Sequence, residues 1–554
     1  MMLKDCLKGG IAVCALLMVS HGAVAVENAG SLKGIVKDGS GKPISGAFVK
    51  LRNAERRLTF MVVSKDGGAF EAKDLPAGQY TAEGVGGEME SKVSQPVTLK
   101  AGGSASLSVA LAEKRGASLP AAWPDRLPNA QIPKPEAVKL PEGEGKSLVE
   151  AKCNVCHDSA RIVASRTSQK NWEHTIWSMR QNMAAANLPD ISDKEAATIE
   201  TYLVKNFPNV VPYNENNRLP KRTLEGNARD YRVVTFRLDP EFAEPHDIAV
   251  DPTGIAWAAK RGGQNLAGGK LIRFDPHTLE ITEINAPPGG AAPSRRRLGN
   301  PQVGPDGVLW TADAPNKRWL SFDTKTHKFI NYFVPDGHIA GGNSMALNHA
   351  NGMVWSTDER NGIYSLDPKT GQWNFYRTPT TGSGAYGIAL AGDGSPWFAE
   401  DRIDRIGHLD LRTGKIEELP IKDQGESILP RRMNSDGDGN IWVGLWDAGK
   451  LMKIDYKTKK MTIFTPPTKD AGCYSVTVDK KNNIIWVSEQ AVDKIGRFDP
   501  KTNTWMEFSL PDSQSDPRRI EIDPTDPNRI FFSGNTANVI GFIEYSPAAN
   551  NERS

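Results

Sequence analysis

The feature that most constrains this chain is a repeat. Between Tyr231 and Tyr545 an aromatic residue recurs inside a β-prone run, at Trp257, Trp310, Trp355, Trp397, Trp442, Trp486 and Phe531, with gaps of 42 to 53 residues. Turn sequences such as Asp251-Pro-Thr-Gly254, Pro305-Asp-Gly307 and Asp436-Gly-Asp-Gly439 precede the markers. The first six markers are each followed by a strand ending in Asp: Asp275, Asp323, Asp367, Asp410, Asp455 and Asp499. A unit of this length holds four short strands and cannot bury its faces alone, so it must stack on its neighbours as a propeller blade. Seven markers predict seven blades across residues 228–546. The last repeat lacks a clear fourth strand. Tyr231-Arg-Val-Val-Thr-Phe236 can supply it and close the ring, which removes exposed strand edges.

Ahead of the repeat lies a second all-β stretch. Residues 31–112 alternate apolar and polar positions, as in Leu32-Lys33-Gly34-Ile35-Val36 and Ala47-Phe48-Val49-Lys50-Leu51, with Gly and Pro at the turns. Residues 113–141 carry Pro120, Pro124, Pro128, Pro133, Pro135 and Pro141, a spacing that predicts an extended, semi-rigid linker.

Between linker and repeat, residues 142–210 read as helical. Cys153-Asn-Val-Cys156-His157 is a Cys-x-x-Cys-His run, the attachment signature of a c-type haem (heme c). Two thiols so spaced can add to the vinyl groups of one porphyrin, and the adjacent His supplies an axial nitrogen. Ser147 to Lys152 is expected as a short helix leading into this run. Trp172, Ile176, Met179 and Met183 fall on one helical face. Ser192-Asp-Lys-Glu195 opens a further helix as a capping box. Trp172 with Met179, and Tyr202-Leu203 with Phe207-Pro208, resemble small cytochrome c domains. That resemblance implies Met179 as second axial ligand; Met183, one turn on, and His174 are the alternatives.

The first 25 residues read as a secretory signal. Lys4 and Lys8 precede the apolar run Ile11 to Val19, and Ala23-Val24-Ala25 fits the cleavage rule. Export to the periplasm fits the five cysteines: Cys6 and Cys14 leave with the signal, two lie in the haem run, and Cys473 is single. A net charge of +2 gives no case for nucleic-acid binding. A mean hydropathy of −0.45, with no other long apolar run, predicts a protein that does not span a membrane.

Within the repeat, two recurring positions are expected to face the channel mouth. One begins each inner strand: His246, Asn343, Tyr386, Arg431, Tyr474 and Arg518, with Gly299 approximately in register. The other lies three residues past each marker: Lys260, Asp313, Asp358, Glu400, Leu445, Glu489 and Gly534. Arg297, Arg432 and Arg519 add charge nearby. Such a ring reads as a binding funnel for a small organic substrate. A Mg²⁺ or Ca²⁺ among Asp313, Asp358, Glu400 and Glu489 is one expectation.

Two resemblances give these modules names. Gly34 to Val49, with Lys65-Asp-Gly-Gly-Ala-Phe70 and Leu75-Pro-Ala-Gly-Gln-Tyr80, resembles the carboxypeptidase regulatory-like domain, which implies a seven-stranded immunoglobulin-like sandwich in an accessory role. Tyr386-Gly-Ile-Ala-Leu390, Pro396-Trp-Phe-Ala-Glu400 and Asp493-Lys-Ile-Gly-Arg-Phe498 are similar to virginiamycin B lyase (streptogramin lyase) propellers. That family implies a catalytic His at an inner-strand start and a Mg²⁺-binding Glu past the marker of the same blade. Here His246 is paired with Lys260, while Glu400 and Glu489 are paired with Tyr386 and Tyr474, so no blade keeps the pair. Tyr386 would serve as a base only with a lowered pKa. The fold expected is mainly β and multidomain: a sandwich, a small α-helical cytochrome c and a seven-bladed β-propeller. The functions expected are, first, a haem-dependent oxidoreductase whose propeller binds substrate and whose haem passes electrons to a soluble cytochrome or membrane oxidase. The second is a non-catalytic electron-transfer protein, and the third a Mg-dependent lyase with an appended cytochrome.

Overall fold

The computed structural model describes residues 29–119, 121, 139–154, 159–164, 169–185, 189–208, 214–238, 244–261, 269–290, 296–338, 342–358, 362–422 and 427–546. The expected signal segment and most of the expected linker lie outside them.

The repeat folds as seven four-stranded antiparallel sheets arranged in a closed ring. Inner strands are Pro245–Val250, Leu298–Val303, Met345–Leu347, Ala385–Leu390, Pro430–Ser435, Cys473–Asp479 and Pro517–Asp523, for blades one to seven. Each marker sits on the second strand of its blade, and all seven are buried. Three of them, Trp257, Trp442 and Phe531, meet aromatic rings of a neighbouring blade. Trp257 of blade one meets Phe322 of blade two edge-on at 5.3 Å, and Trp442 of blade five meets Phe498 of blade six at 6.1 Å. Across the closure, Phe531 of blade seven meets Phe274 of blade one at 6.4 Å. Edge-on geometry sets ring edges against ring faces, which suits their quadrupoles.

The Phe partners immediately precede the recurrent Asp, and the Asp has its own physical reason. Its side chain accepts from backbone N–H groups of the hairpin to the fourth strand, as Asp323 does from Lys325 and Thr326, and Asp455 from Lys457 and Thr458. One glycine is required by close approach. A Cβ on Gly387 would lie 2.2 Å from the Arg431 carbonyl oxygen, where inner strands of blades four and five converge.

Tyr231–Arg237 closes the ring by pairing with the third strand of blade seven, Val539–Tyr545. Its other edge is also used. It pairs antiparallel with Leu58–Val63 of the N-terminal module, so blade seven and one sheet of that module form a single ten-stranded sheet. The closing strand is therefore central in a sheet rather than at an edge, and its apolar run Val233-Val234 is buried accordingly.

The N-terminal module is a two-sheet sandwich of nine strands among the described residues, two more than its resemblance implies. The extra pair is Met89–Glu90 with Glu113–Lys114. The start of the expected linker is thus ordered into the module. Arg115 is buried, and its guanidinium donates to the carbonyls of Gly87, Asn216, Leu219 and Pro220. The segment after residue 213 joins both β modules. Asn216 accepts from buried Lys50 at 2.6 Å, and Arg218 pairs with buried Asp493 of blade six at 3.4 Å. The sandwich is fused to the propeller rather than an independent appendage.

Four helices stand in the described part of residues 139–208: α1 (Lys146–Lys152), α2 (Ser159–Ala164), α3 (Gln169–Ala185) and α4 (Asp193–Asn206). The capping box at Ser192 and Glu195 is formed in both directions. Val149, Ile162, Trp172, Ile176, Met183, Ile199, Tyr202 and Phe207 form one apolar cluster. Trp172 Nε1 donates to the Phe207 carbonyl at 2.9 Å, which anchors α3 to the end of α4. Among the described residues no helix is long and apolar enough to cross a membrane.

Candidate functional site

The two expected rings of the propeller behave differently. Residues at the inner-strand starts converge on the axis and are joined there. His246 is buried, with Nδ1 3.0 Å from Asp247 Oδ2 and Nε2 3.2 Å from an Arg518 guanidinium nitrogen. Burial, with Arg261 and Arg518 nearby, holds this imidazole well below its ordinary pKa despite Asp247, so it is neutral. Arg518 is itself fixed by Asp516 at 2.9 Å. The Tyr386 and Tyr474 hydroxyls bond to one another from blades four and six. Between them, Arg431 of blade five stacks 4.3 Å from the Tyr386 ring and 4.7 Å from the Trp446 ring, and pairs with Asp401 at 2.8 Å. Asn343 is half-buried, its backbone N–H donating to Thr357. Burial and the neighbouring Tyr474 push the Tyr386 phenol far up, so the lowered pKa that a base at Tyr386 requires is not present.

One step further along the inner strands lies a charge that sequence reasoning missed. Asp247 of blade one accepts from Arg432 of blade five, across the axis. It also faces Arg261 at 3.4 Å and accepts from the Asn300 backbone of blade two at 3.2 Å. Arg432 reaches Ser344 of blade three at 3.4 Å. Burial works to raise the Asp247 carboxyl, but Arg432, His246 and Arg261 hold it well below the usual range. The signal was present: an Asp inside the wholly buried run Pro245–Val250 demands a partner.

The second ring does not line the axis. Lys260, Asp313, Glu400 and Glu489 find their neighbours on the outer strands of their own blades. Lys260 pairs with Glu283 of the fourth strand at 3.1 Å. Asp313 pairs with Arg318 of the third strand at 2.8 Å, both fully buried. Glu400 lies near Glu418 and Ser383, and Glu489 near Glu507; among the described residues neither oxygen of the buried Glu489 carboxyl has a hydrogen-bond partner. Burial and the second acid push Glu400 up to about 7 and Glu489 well above the carboxylate range. Asp358 is half-buried at the end of its strand. The reason is geometric: blades radiate from the axis, so a side chain at the end of a second strand meets the third and fourth strands of its own blade rather than the channel. The four acids sit in four blades, and no group of three or more His, Cys, Asp or Glu side chains suited to a metal ion occurs among the described residues.

A cavity of about 980 Å³ opens at the other end of the inner strands. Its walls include the inner-strand residues Gln302, Met345, Ile388, Met433 and Arg519, and the turns that lead into the second strands.

In the helical module, Cys153 caps α1, its N–H donating to the Val149 carbonyl, and packs half-buried against the apolar cluster. Burial pushes its thiol up to about 11. Met183 lies inside the cluster and Met179 is half-buried on the same helix. Cys156 and His157 lie outside the described residues, as does the side chain of His174.

Comparison with known proteins agrees with the β architecture. Residues 299–551 match the Virginiamycin B lyase family, and residues 31–112 match the carboxypeptidase regulatory-like domain. A virginiamycin B lyase of Nocardia farcinica (strain IFM 10152) is 28% identical over 200 residues, which is 32% of this chain and 71% of that protein. A solved streptogramin B lyase aligns at 23% identity with a TM-score of 0.51, over 58% of this chain and 100% of its own, a likeness of fold. The chain is mainly β and multidomain, and it carries a virginiamycin B lyase-like propeller behind a carboxypeptidase regulatory-like N-terminal domain.

Proposed function

We propose that this protein is a periplasmic c-type haem protein, a haem-dependent oxidoreductase whose propeller binds a small organic substrate. Electrons would pass from the helical module to a soluble cytochrome or a membrane oxidase. The observation that carries the reading is the placement of Cys153. The first thiol of the Cys-x-x-Cys-His run forms no disulfide among the described residues, ends a helix, and borders the apolar cluster that holds Met183. An apolar cluster with a free thiol at its rim suits a covalently held porphyrin. Cys153 and Cys156 would hold the group, with His157 and Met179, or alternatively Met183, as axial ligands. Bound there, haem supplies a one-electron couple.

The test is maturation in a host that attaches c-type haem. One covalent haem per chain is expected, lost on replacing Cys153 and Cys156 by Ala. Replacement of Met179, but not of Met183, is expected to change the reduction potential; the reverse result transfers the ligand role. A matured protein without covalent haem ends the reading.

A lyase reading is favoured by the family matches. Against it stands the site: His246 is engaged at both ring nitrogens, and Lys260, at the expected Mg²⁺ position, is ion-paired to Glu283. Cleavage of a cyclic ester with Mg²⁺, with no change in haem colour, would select the lyase. Indifference to small molecules, with fast exchange to another cytochrome, would select non-catalytic electron transfer.

A further inference from the structure

The substrate funnel was expected at the inner-strand starts, where the side chains instead bond to one another. The open volume described above is at the opposite mouth. We propose that this far-mouth cavity is a binding site for small organic carboxylates with an apolar body. The proposal rests on the propeller being the ligand-binding module, and not on the haem.

Its size suits a small organic ligand, at the upper end of ordinary pockets. Its walls divide into an apolar part and a donor-rich part. Met345, Ile388 and Met433 come from inner strands of three successive blades and offer an apolar surface. Arg519 supplies the cation. It is nine-tenths buried; one guanidinium nitrogen reaches Glu521 at 3.1 Å, while Nε has no hydrogen-bond partner. Glu521 is shared, because Thr477 also donates to it at 2.9 Å. Gln302 Nε2 is a second buried donor without a partner. Lys480 completes the positive side, one of its hydrogens going to Ser435 at 3.1 Å.

The acids on the same wall each hold hydrogen bonds of their own turns or of a neighbouring Asn. Asp393 accepts from the Ser395 backbone and hydroxyl at 2.9 and 2.6 Å. Asp436 accepts from two backbone N–H groups of its turn and from Trp442 Nε1. Asp438 accepts from Asn483 at 3.0 Å. The donors that stay unmet on this wall, Arg519 Nε and Gln302 Nε2, call for an acceptor. A buried, incompletely satisfied guanidinium answers that demand best with a carboxylate, by charge-assisted hydrogen bonds.

The test uses the full-chain holoprotein and three isosteric probes: benzoate, benzamide and benzylamine. Binding is followed by saturation-transfer NMR and titration calorimetry, and haem content by absorbance. Benzoate is expected to bind at least tenfold more tightly than benzamide, with benzylamine weakest. Arg519→Gln is expected to weaken benzoate at least tenfold. Lys480→Gln should weaken it severalfold, with circular dichroism checking that the fold is intact. The proposal falls if benzoate fails to bind at about 10 mM, if benzamide or benzylamine binds as well, or if Lys480→Gln leaves benzoate binding unchanged. Loss of haem without loss of benzoate binding would count against the redox reading alone.

Discussion

The two polar rings of the propeller sit on adjacent strands and differ in what their charges are for. At the inner-strand starts and one residue beyond, side chains from different blades meet: Asp247 with Arg432 across the axis, His246 with Arg518 of the adjacent blade, Tyr386 with Tyr474 over the blade between them. At the ends of the second strands, the partners are local: Lys260 with Glu283, Asp313 with Arg318. The first ring ties blades to one another and the second ties strands within a blade. A charge therefore reports on ring closure or on blade integrity according to which strand bears it. The similar appearance of the two rings in a list of residues conceals this.

The largest effect should come from breaking the first ring. Asp247→Asn leaves Arg432 buried with no carboxylate, and breaking such a pair costs about 3–5 kcal/mol. Urea denaturation monitored by tryptophan fluorescence checks this. Adding Arg432→Met should restore more than half of the loss, because the pair is coupled. A single-variant loss below about 1 kcal/mol would show that the cross-axis pair does not hold the ring.

Much of this was legible before any coordinates. The period, the buried markers and the Asp-ended strands describe blades because each has a local physical cause: inter-blade aromatic contact for Trp257, Trp442 and Phe531, backbone capping for Asp323 and Asp455. The closing role of Tyr231–Arg237 follows from the missing fourth strand. Its second pairing, with Leu58–Val63, could not be read, since period and alternation say nothing about which distant edge a strand will find. The same limit applies to the second polar ring. Position along a strand was readable at Lys260, Asp313, Glu400 and Glu489, whereas the direction of each side chain relative to the axis depends on how the sheet is set in the ring.

A smaller, pH-dependent effect separates the rings further. Glu489 is fully buried without a partner and its pKa is raised by burial and by Glu507; Glu400 is raised to about 7 by burial and by Glu418. With the folded pKa above the unfolded one, the unfolded chain releases its proton first as pH rises. Stability contributed by the protonated carboxyls is therefore present below the ordinary glutamate range and lost as pH climbs toward the raised values. Glu489→Gln removes that dependence. Its stability relative to the parent should grow with pH, by up to about 1.4 kcal/mol per pH unit inside the window. Melting curves between about pH 4 and about pH 8 check the sign. A constant difference would mean that Glu489 is ionised in the fold, and would return it to the list of ligand candidates.

The smallest effect is expected where the lyase reading would require the largest. Lys260 occupies the position at which that family implies a Mg²⁺-binding Glu, yet it is spent on Glu283, a half-exposed carboxylate. Blade five carries Leu445 at the same station, fully buried, so an apolar side chain is accommodated there by the fold. Lys260→Leu exchanges a partly screened ion pair for apolar packing, a change worth within about 1 kcal/mol in either direction. Chemical denaturation should find it near neutral, and benzoate binding at the far mouth should be unaltered. A Lys260→Leu protein that folds normally but loses turnover of an organic substrate would place the second ring back in the chemistry, and with it the family's arrangement of base and counter-charge within one blade.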